Sequence, residues 1–152
     1  MQEAKKKHQI KDGLKPGFTE AIGLVETCVA FEAFINELLY EKSISKKINH
    51  FSNIYQITLT ENLAALKKWI VPLKKELDEF LLTDMTPNSN RRDIGIDNPE
   101  KLENIIWVIY RVRSNLVHGS KSIDSPRNEI LIGNSFHFLY SFLEIIFNKE
   151  EI

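Results

Sequence analysis

Apolar residues recur along most of the chain at intervals of three and four, and proline and glycine interrupt them sparingly, a helical rather than an alternating pattern. The spacing predicts a helix from about Phe18 to Tyr40, after the breaker Lys15-Pro16-Gly17. A second is expected from the N-cap Thr60, with Glu61 in its first turn, to Leu82, and Pro72 should kink or divide it. The third takes Asn98 as N-cap and Pro99 as its first residue, and stops at His118 with Gly119 as C-cap. The fourth starts with Ser125 as cap and Pro126 at the first position and runs to about Asn148. Between the first two, Ser43 to Asn53 predicts a short helical piece, and a strand reading survives only for stretches such as Tyr55 to Leu59. Thr83 to Asp97 has the composition of a loop. Helices of about 20 residues, roughly 30 Å long, pack side by side around one core. The expected fold class is therefore all-α, an antiparallel four- to five-helix bundle forming a single domain over residues 1–152, with 1–17 as a polar N-terminal extension.

The third helix has the clearest periodicity. Leu102, Ile105, Ile106, Ile109, Val112 and Leu116 form one stripe that must face the core, and Arg111, Ser114, Asn115 and His118 lie opposite it. Arg111, Asn115 and His118 follow an i, i+4, i+7 spacing and share a face; Arg113 falls near the edge of the apolar stripe. The first helix is apolar over more than half its circumference. Ile22, Val25, Val29 and Leu39 are expected on its most buried side, with Glu32 and Asn36 projecting from that same side. A carboxylate placed there needs a cation or donors, and an arginine is the natural partner. The surplus apolar surface of this helix predicts a homodimer.

Composition narrows the class further. The chain has 152 residues, 43% hydrophobic and 27% charged, the usage of an ordinary globular domain. Its one cysteine, Cys28, allows no internal disulfide and fits a cytoplasmic protein. The five lysines of Met1 to Gly17 leave no room for a signal peptide's apolar region. Phe136 to Phe147, the longest mostly apolar stretch, is interrupted by His137, Ser141 and Glu144 and falls short of the roughly 20 residues that cross a bilayer. No membrane, metal or cofactor is expected, because no His or Cys pair has ligand spacing and no phosphate-cradling glycine loop is present. His137 reads as a solvated surface residue.

The net charge of −1, from 20 basic and 21 acidic residues, gives no global attraction for nucleic acid. The five arginines nevertheless all fall between Arg91 and Arg127. Guanidinium forks suit phosphate oxygens, so this segment is a candidate phosphate contact; the other reading is that these arginines pair with Asp93, Asp97, Glu100 and Glu103.

Arg113-Ser114-Asn115-Leu116-Val117-His118, followed by Gly119, resembles the arginine–histidine signature of HEPN domains at the end of a long amphipathic helix. Phe31-Glu32-Ala33-Phe34-Ile35-Asn36 resembles the aromatic-rich early helix of that family, and Asn128-Glu129-Ile130-Leu131 the helix after the motif. The resemblance spans roughly residues 18 to 148, and its specific part is the arginine–histidine motif. It implies a metal-independent endoribonuclease, a dimer whose two motifs meet in a basic cleft, with RNA as partner, an antitoxin or other regulatory protein as a second one, and a toxin, stress or anti-phage role. His118 would be the general acid or base in attack of the RNA 2′-hydroxyl on the adjacent phosphate, and Arg113 would bind that phosphate. Arg111, Ser114, Asn115, Glu32 and Lys121 would bind or orient substrate, Glu32 through Arg113 or across the dimer. Arg111 and Arg113 both satisfy the spacing. A helix dipole favours a cation in the last turn, which suits His118 as a proton donor. Many members carry Asn, Asp or His where this chain has Ser114, and some toxins carry an antitoxin-modified tyrosine where it has Ser120. The alternative is a non-catalytic dimer module of the same fold that binds RNA, a nucleotide or a protein, and a third reading is a purely structural dimerisation domain, favoured if Arg113 is buried against Glu32 within one subunit.

Overall fold

A computed structural model describes residues 18–38, 43–86, 88–118 and 125–150. These form five helices: α1 (Phe18–Leu38), α2 (Ile44–Glu61), α3 (Leu63–Glu79), α4 (Leu102–His118) and α5 (Pro126–Glu150). No strand occurs among the described residues, and the fold is an all-α bundle. The longest helix, α5, packs mainly on α3 and α1 and also on α4, while α2 lies chiefly against α4. Phe31, Phe51, Phe138 and Phe142 fill the centre, with Phe31 meeting Phe51 edge-on at 4.9 Å.

Several boundaries differ from the sequence reading for identifiable reasons. The piece expected over Ser43 to Asn53 is an 18-residue helix that includes Tyr55 to Leu59, so the strand reading is wrong. Ile48, Phe51, Ser52, Tyr55 and Leu59 lie along its inner side, and two of its buried residues, Ser52 and Thr58, are polar, which blurs the stripe. Asn62, not Thr60, separates α2 from α3. Its N–H bonds the carbonyls of Thr58 and Leu59, its side chain bonds Thr58 O at 2.8 Å, and its own carbonyl accepts from Ala65 and Leu66. Pro72 sits inside an undivided α3. The carbonyl it cannot bond belongs to Lys68, an exposed residue, so the loss falls where solvent reaches the helix.

Asn98 caps a turn, not α4: its Oδ1 accepts from the Glu100 N–H at 2.9 Å, and the helix starts at Leu102. Gln56 of α2 supplies the cap from outside, accepting from the Leu102 N–H and donating to Glu100 O, both at 2.8 Å. Ser125 does cap α5, through its Oγ and the Asn128 N–H.

The stripe predicted on α4 is buried, apart from Leu116, which is half-buried. On α1 the buried side is rotated from the expected one. Leu24, Cys28, Phe31 and Ile35 are inside and Val29 is 56% exposed, while Leu39 lies outside the described residues. Gly23 explains the rotation, because a Cβ there would stand 2.8 Å from the Phe136 ring; α1 approaches α5 along that line. His137 is half-buried and stacked on Trp69 at 4.7 Å, which corrects its reading as a solvated residue. Over Pro126–Asn148, α5 is long and apolar enough to cross a membrane, with a mean hydropathy of 1.5, longer than the interrupted stretch suggests. Half of that window is buried against the other helices, the pattern of a bundle's central helix.

Candidate functional site

The residues singled out by the sequence divide between two sides of α4. On one side, against α1, Arg113 Nη2 lies 3.6 Å from Glu32 Oε1 within the same chain, and the Tyr110 hydroxyl donates to that same oxygen at 3.1 Å. The Arg113 guanidinium also stands over the Tyr110 ring at 5.9 Å. The side chains of Arg113 and Glu32 are 24% and 32% exposed, so the pair is partly screened from water. Arg113 Nε is buried and has no hydrogen-bond partner; an anion reaching this arginine meets its terminal nitrogens. Beneath the pair lies Cys28, whose burial pushes its thiol up to about 12 and leaves it protonated at neutral pH. Burial and the Glu32 carboxylate likewise push the Tyr110 hydroxyl up to about 12, so it stays a donor. Exposed Val29 and Val117 (54%) flank the ion pair one turn away on α1 and α4.

On the other side, Arg111 and Asn115 are bonded to the main chain of the loop between α3 and α4. Arg111 Nη1 donates to Leu82 O at 3.1 Å and to Arg92 O at 2.7 Å. Asn115 accepts from the Met85 N–H at 2.8 Å and donates to Thr83 O at 2.6 Å. Leu82 and Ile94 close the loop on itself by a reciprocal pair of backbone bonds of 2.7 and 3.0 Å. Burial lowers the Arg111 guanidinium from its ordinary range, against the pull of Asp84 and Asp93. Within the loop, Asp84 accepts from the Thr86 N–H and the Ser89 hydroxyl, which hold its carboxyl down at about 2.

Arg127 is a third organiser. From the start of α5 it donates to the carbonyls of Glu76, Phe80 and Leu81 and meets the Glu76 carboxylate at 3.4 Å. A cation is thereby placed on the carbonyls at the C-terminal end of α3, of which Glu76 O also accepts from the Phe80 N–H. The clustering of arginines in the sequence thus has a largely architectural cause. Arg111 and Arg127 bind backbone carbonyls, Arg113 binds Glu32, and Arg91 and Arg92 remain exposed, Arg91 reaching Asp84 only at 3.9 Å.

His118 is the exposed last residue of α4 and Ser114 is half-buried four residues before it. Lys121, Gly119 and Ser120 lie outside the described residues. The structure therefore joins Arg113 to Glu32, places His118 at the helix end beyond them, and separates Arg111 and Asn115 onto the loop side. Tyr110 was not singled out by the sequence. Its spacing one turn before Arg113 was the available signal, hidden by its place beside the apolar stripe. No cluster of three or more His, Cys, Asp or Glu side chains suited to a metal is found among the described residues. Comparison with protein-family models, with curated proteins and with solved structures finds no match for this chain.

Proposed function

We propose that this protein is a cytoplasmic, HEPN-like, metal-independent endoribonuclease that acts as a homodimer. The observation that carries the reading is Arg113, held at a fixed place by Glu32 and Tyr110, one and a half turns before an exposed histidine that ends the same helix. A guanidinium fixed in advance stabilises charge on a scissile phosphate without paying for its own ordering at the moment of reaction. His118, exposed at the end of the helix, then exchanges a proton with the 2′-hydroxyl or with the leaving oxygen. Glu32 and Tyr110 act through Arg113 and do not touch substrate. Arg111 and Asn115 hold the loop in this account, through their bonds to its main chain. Val29 and Val117 beside the ion pair supply an apolar rim through which a second copy brings its own motif alongside.

The test is RNA cleavage by purified protein in EDTA. His118→Ala and Arg113→Ala should each abolish it; absence of cleavage, or variants as active as the parent, would reject the enzyme. One observation favours the second reading, a non-catalytic dimer module. The charge of Arg113 is already met by Glu32 in its own chain, although both side chains stay partly exposed, short of the burial that favours a purely structural role. That module predicts salt-sensitive RNA binding without turnover, or, if purely structural, neither.

A further inference from the structure

The loop held by Arg111, Asn115 and Arg127 does not close completely on the bundle. Between it and the facing sides of α4 and α5 lies a cavity of about 420 Å³, within the range of small-molecule sites. Leu82, Val112, Leu131 and Ile132 form apolar walls, and Thr83, Asn115 and Asn128 bring polar groups among them. At the rim, Phe80 is 68% exposed, with the Arg127 guanidinium 5.9 Å from its ring. That guanidinium is fixed by the carbonyls it binds, so the aromatic ring is backed by a rigid planar cation and not by mobile chain. An exposed phenyl beside an open apolar cavity keeps apolar surface in water, a cost that an occupant removes.

We infer that this cavity takes a single unpaired nucleobase of a single-stranded RNA, stacked against Phe80. Asn115 supplies the reason for a base rather than a purely apolar ligand. Its Oδ1 accepts one bond, from Met85, and its Nδ2 donates one, to Thr83. One acceptor lone pair and one N–H therefore remain on an amide that lines the cavity. A donor beside an acceptor is the pattern that the edge of a base complements. Single-stranded RNA is read in this way, by aromatic stacking combined with bonds to base edges. The polymer's phosphates have cations nearby, since Arg91 and Arg92 are exposed on the same loop. His118 lies one turn beyond Asn115, so a base seated here carries its adjoining phosphate toward the end of α4. The inference rests on the RNA reading above for the polymer, and its test separates the two.

The experiment uses full-length His118→Ala protein, which binds without turnover, with fluorescein-labelled hexaadenylate and hexauridylate RNA, an abasic backbone of the same length, and free adenosine and uridine monophosphates. Binding is followed by anisotropy and calorimetry. Phe80→Ala should weaken binding of the two oligonucleotides about tenfold, in keeping with the usual worth of one stacked base, and leave the abasic chain unchanged; Phe80→Trp should restore it. Equal affinity of the abasic chain, or no loss in Phe80→Ala, overturns the inference even if the parent protein cleaves RNA. Phe80-dependent binding of the oligonucleotides by a parent protein that cleaves no RNA supports the base site and removes the ribonuclease, whereas monophosphate binding without polymer binding overturns the inference. Absence of all nucleotide binding overturns the inference.

Discussion

Truncating the ion pair at the α1–α4 seam tests whether Glu32 and Arg113 act as a unit. The pair is 3.6 Å apart and about a quarter to a third exposed, between the surface case, where pairs contribute about 0–1 kcal/mol, and the buried case, where removing one partner costs about 3–5 kcal/mol. Glu32→Ala removes the acceptor of the Tyr110 hydroxyl as well and leaves a partly desolvated guanidinium whose Nε already has no partner. A loss of about 2 kcal/mol follows. Arg113→Ala leaves Glu32 still bonded to Tyr110 and should cost less, about 1 kcal/mol. Because the second change removes a charge that the first has already stranded, the double variant should be more stable than the sum of the single losses, by about 1 kcal/mol. Urea unfolding followed by circular dichroism on all four proteins gives this coupling, and the single variants should melt about 2–8 °C lower in a chain of this size. Additivity within about 0.5 kcal/mol would show that the two side chains do not act on one another, and the pre-positioned arginine would go with it.

Four other outcomes follow from the packing and from the hydrogen bonds of the loop. Gly23→Ala should destabilise by about 1–3 kcal/mol, because its Cβ would press on Phe136, a cost that reverses the usual helical benefit of alanine. Gly133→Ala, with nothing within 4 Å, should instead stabilise by up to about 1 kcal/mol, both read by thermal melting. Arg127→Ala should lower stability by about 1–3 kcal/mol and raise amide exchange at the end of α3 and in the loop ahead of unfolding; unchanged exchange there would remove its role as a tie. Asp84 titrates at about 2 in the folded chain against an ordinary 3.8, so its contribution is complete above about pH 4 and is lost as the pH falls through about 2. The amide shifts of Thr86 and Ser89 should move in that window in the parent and stay flat in Asp84→Asn; parallel titrations would contradict the assignment.

Much of this fold was legible where apolar and polar residues separate cleanly. The α4 stripe from Leu102 to Val112 is such a case, and Pro126 behind Ser125 marks the start of α5 without help from tertiary structure. Legibility failed where a helix buries polar groups or is apolar all round. Ser52 and Thr58 are inside α2 and shortened its reading, and α1 offered several apolar sides, from which only the Gly23–Phe136 contact selects the buried one. Caps supplied from a distant element, such as Gln56 on Leu102, leave no local mark. For the site, the Glu32–arginine pairing was anticipated from the cost of a carboxylate on an apolar face, and Arg113 is the arginine that meets it. The roles of Arg111, Asn115 and Arg127 were not, because a guanidinium suited to phosphate oxygens is equally suited to backbone carbonyls, and spacing does not tell them apart.

The most direct test of the central claim is the end group left on a cleaved RNA. Attack by the 2′-hydroxyl leaves a cyclic phosphate and a free 5′-hydroxyl, so an oligonucleotide carrying a single ribonucleotide in a deoxyribose chain should be cut only after that ribonucleotide, in EDTA, and only by protein with Arg113 and His118 intact. Cleavage at deoxynucleotides, products with a 5′-phosphate, or binding without any cleavage would contradict it.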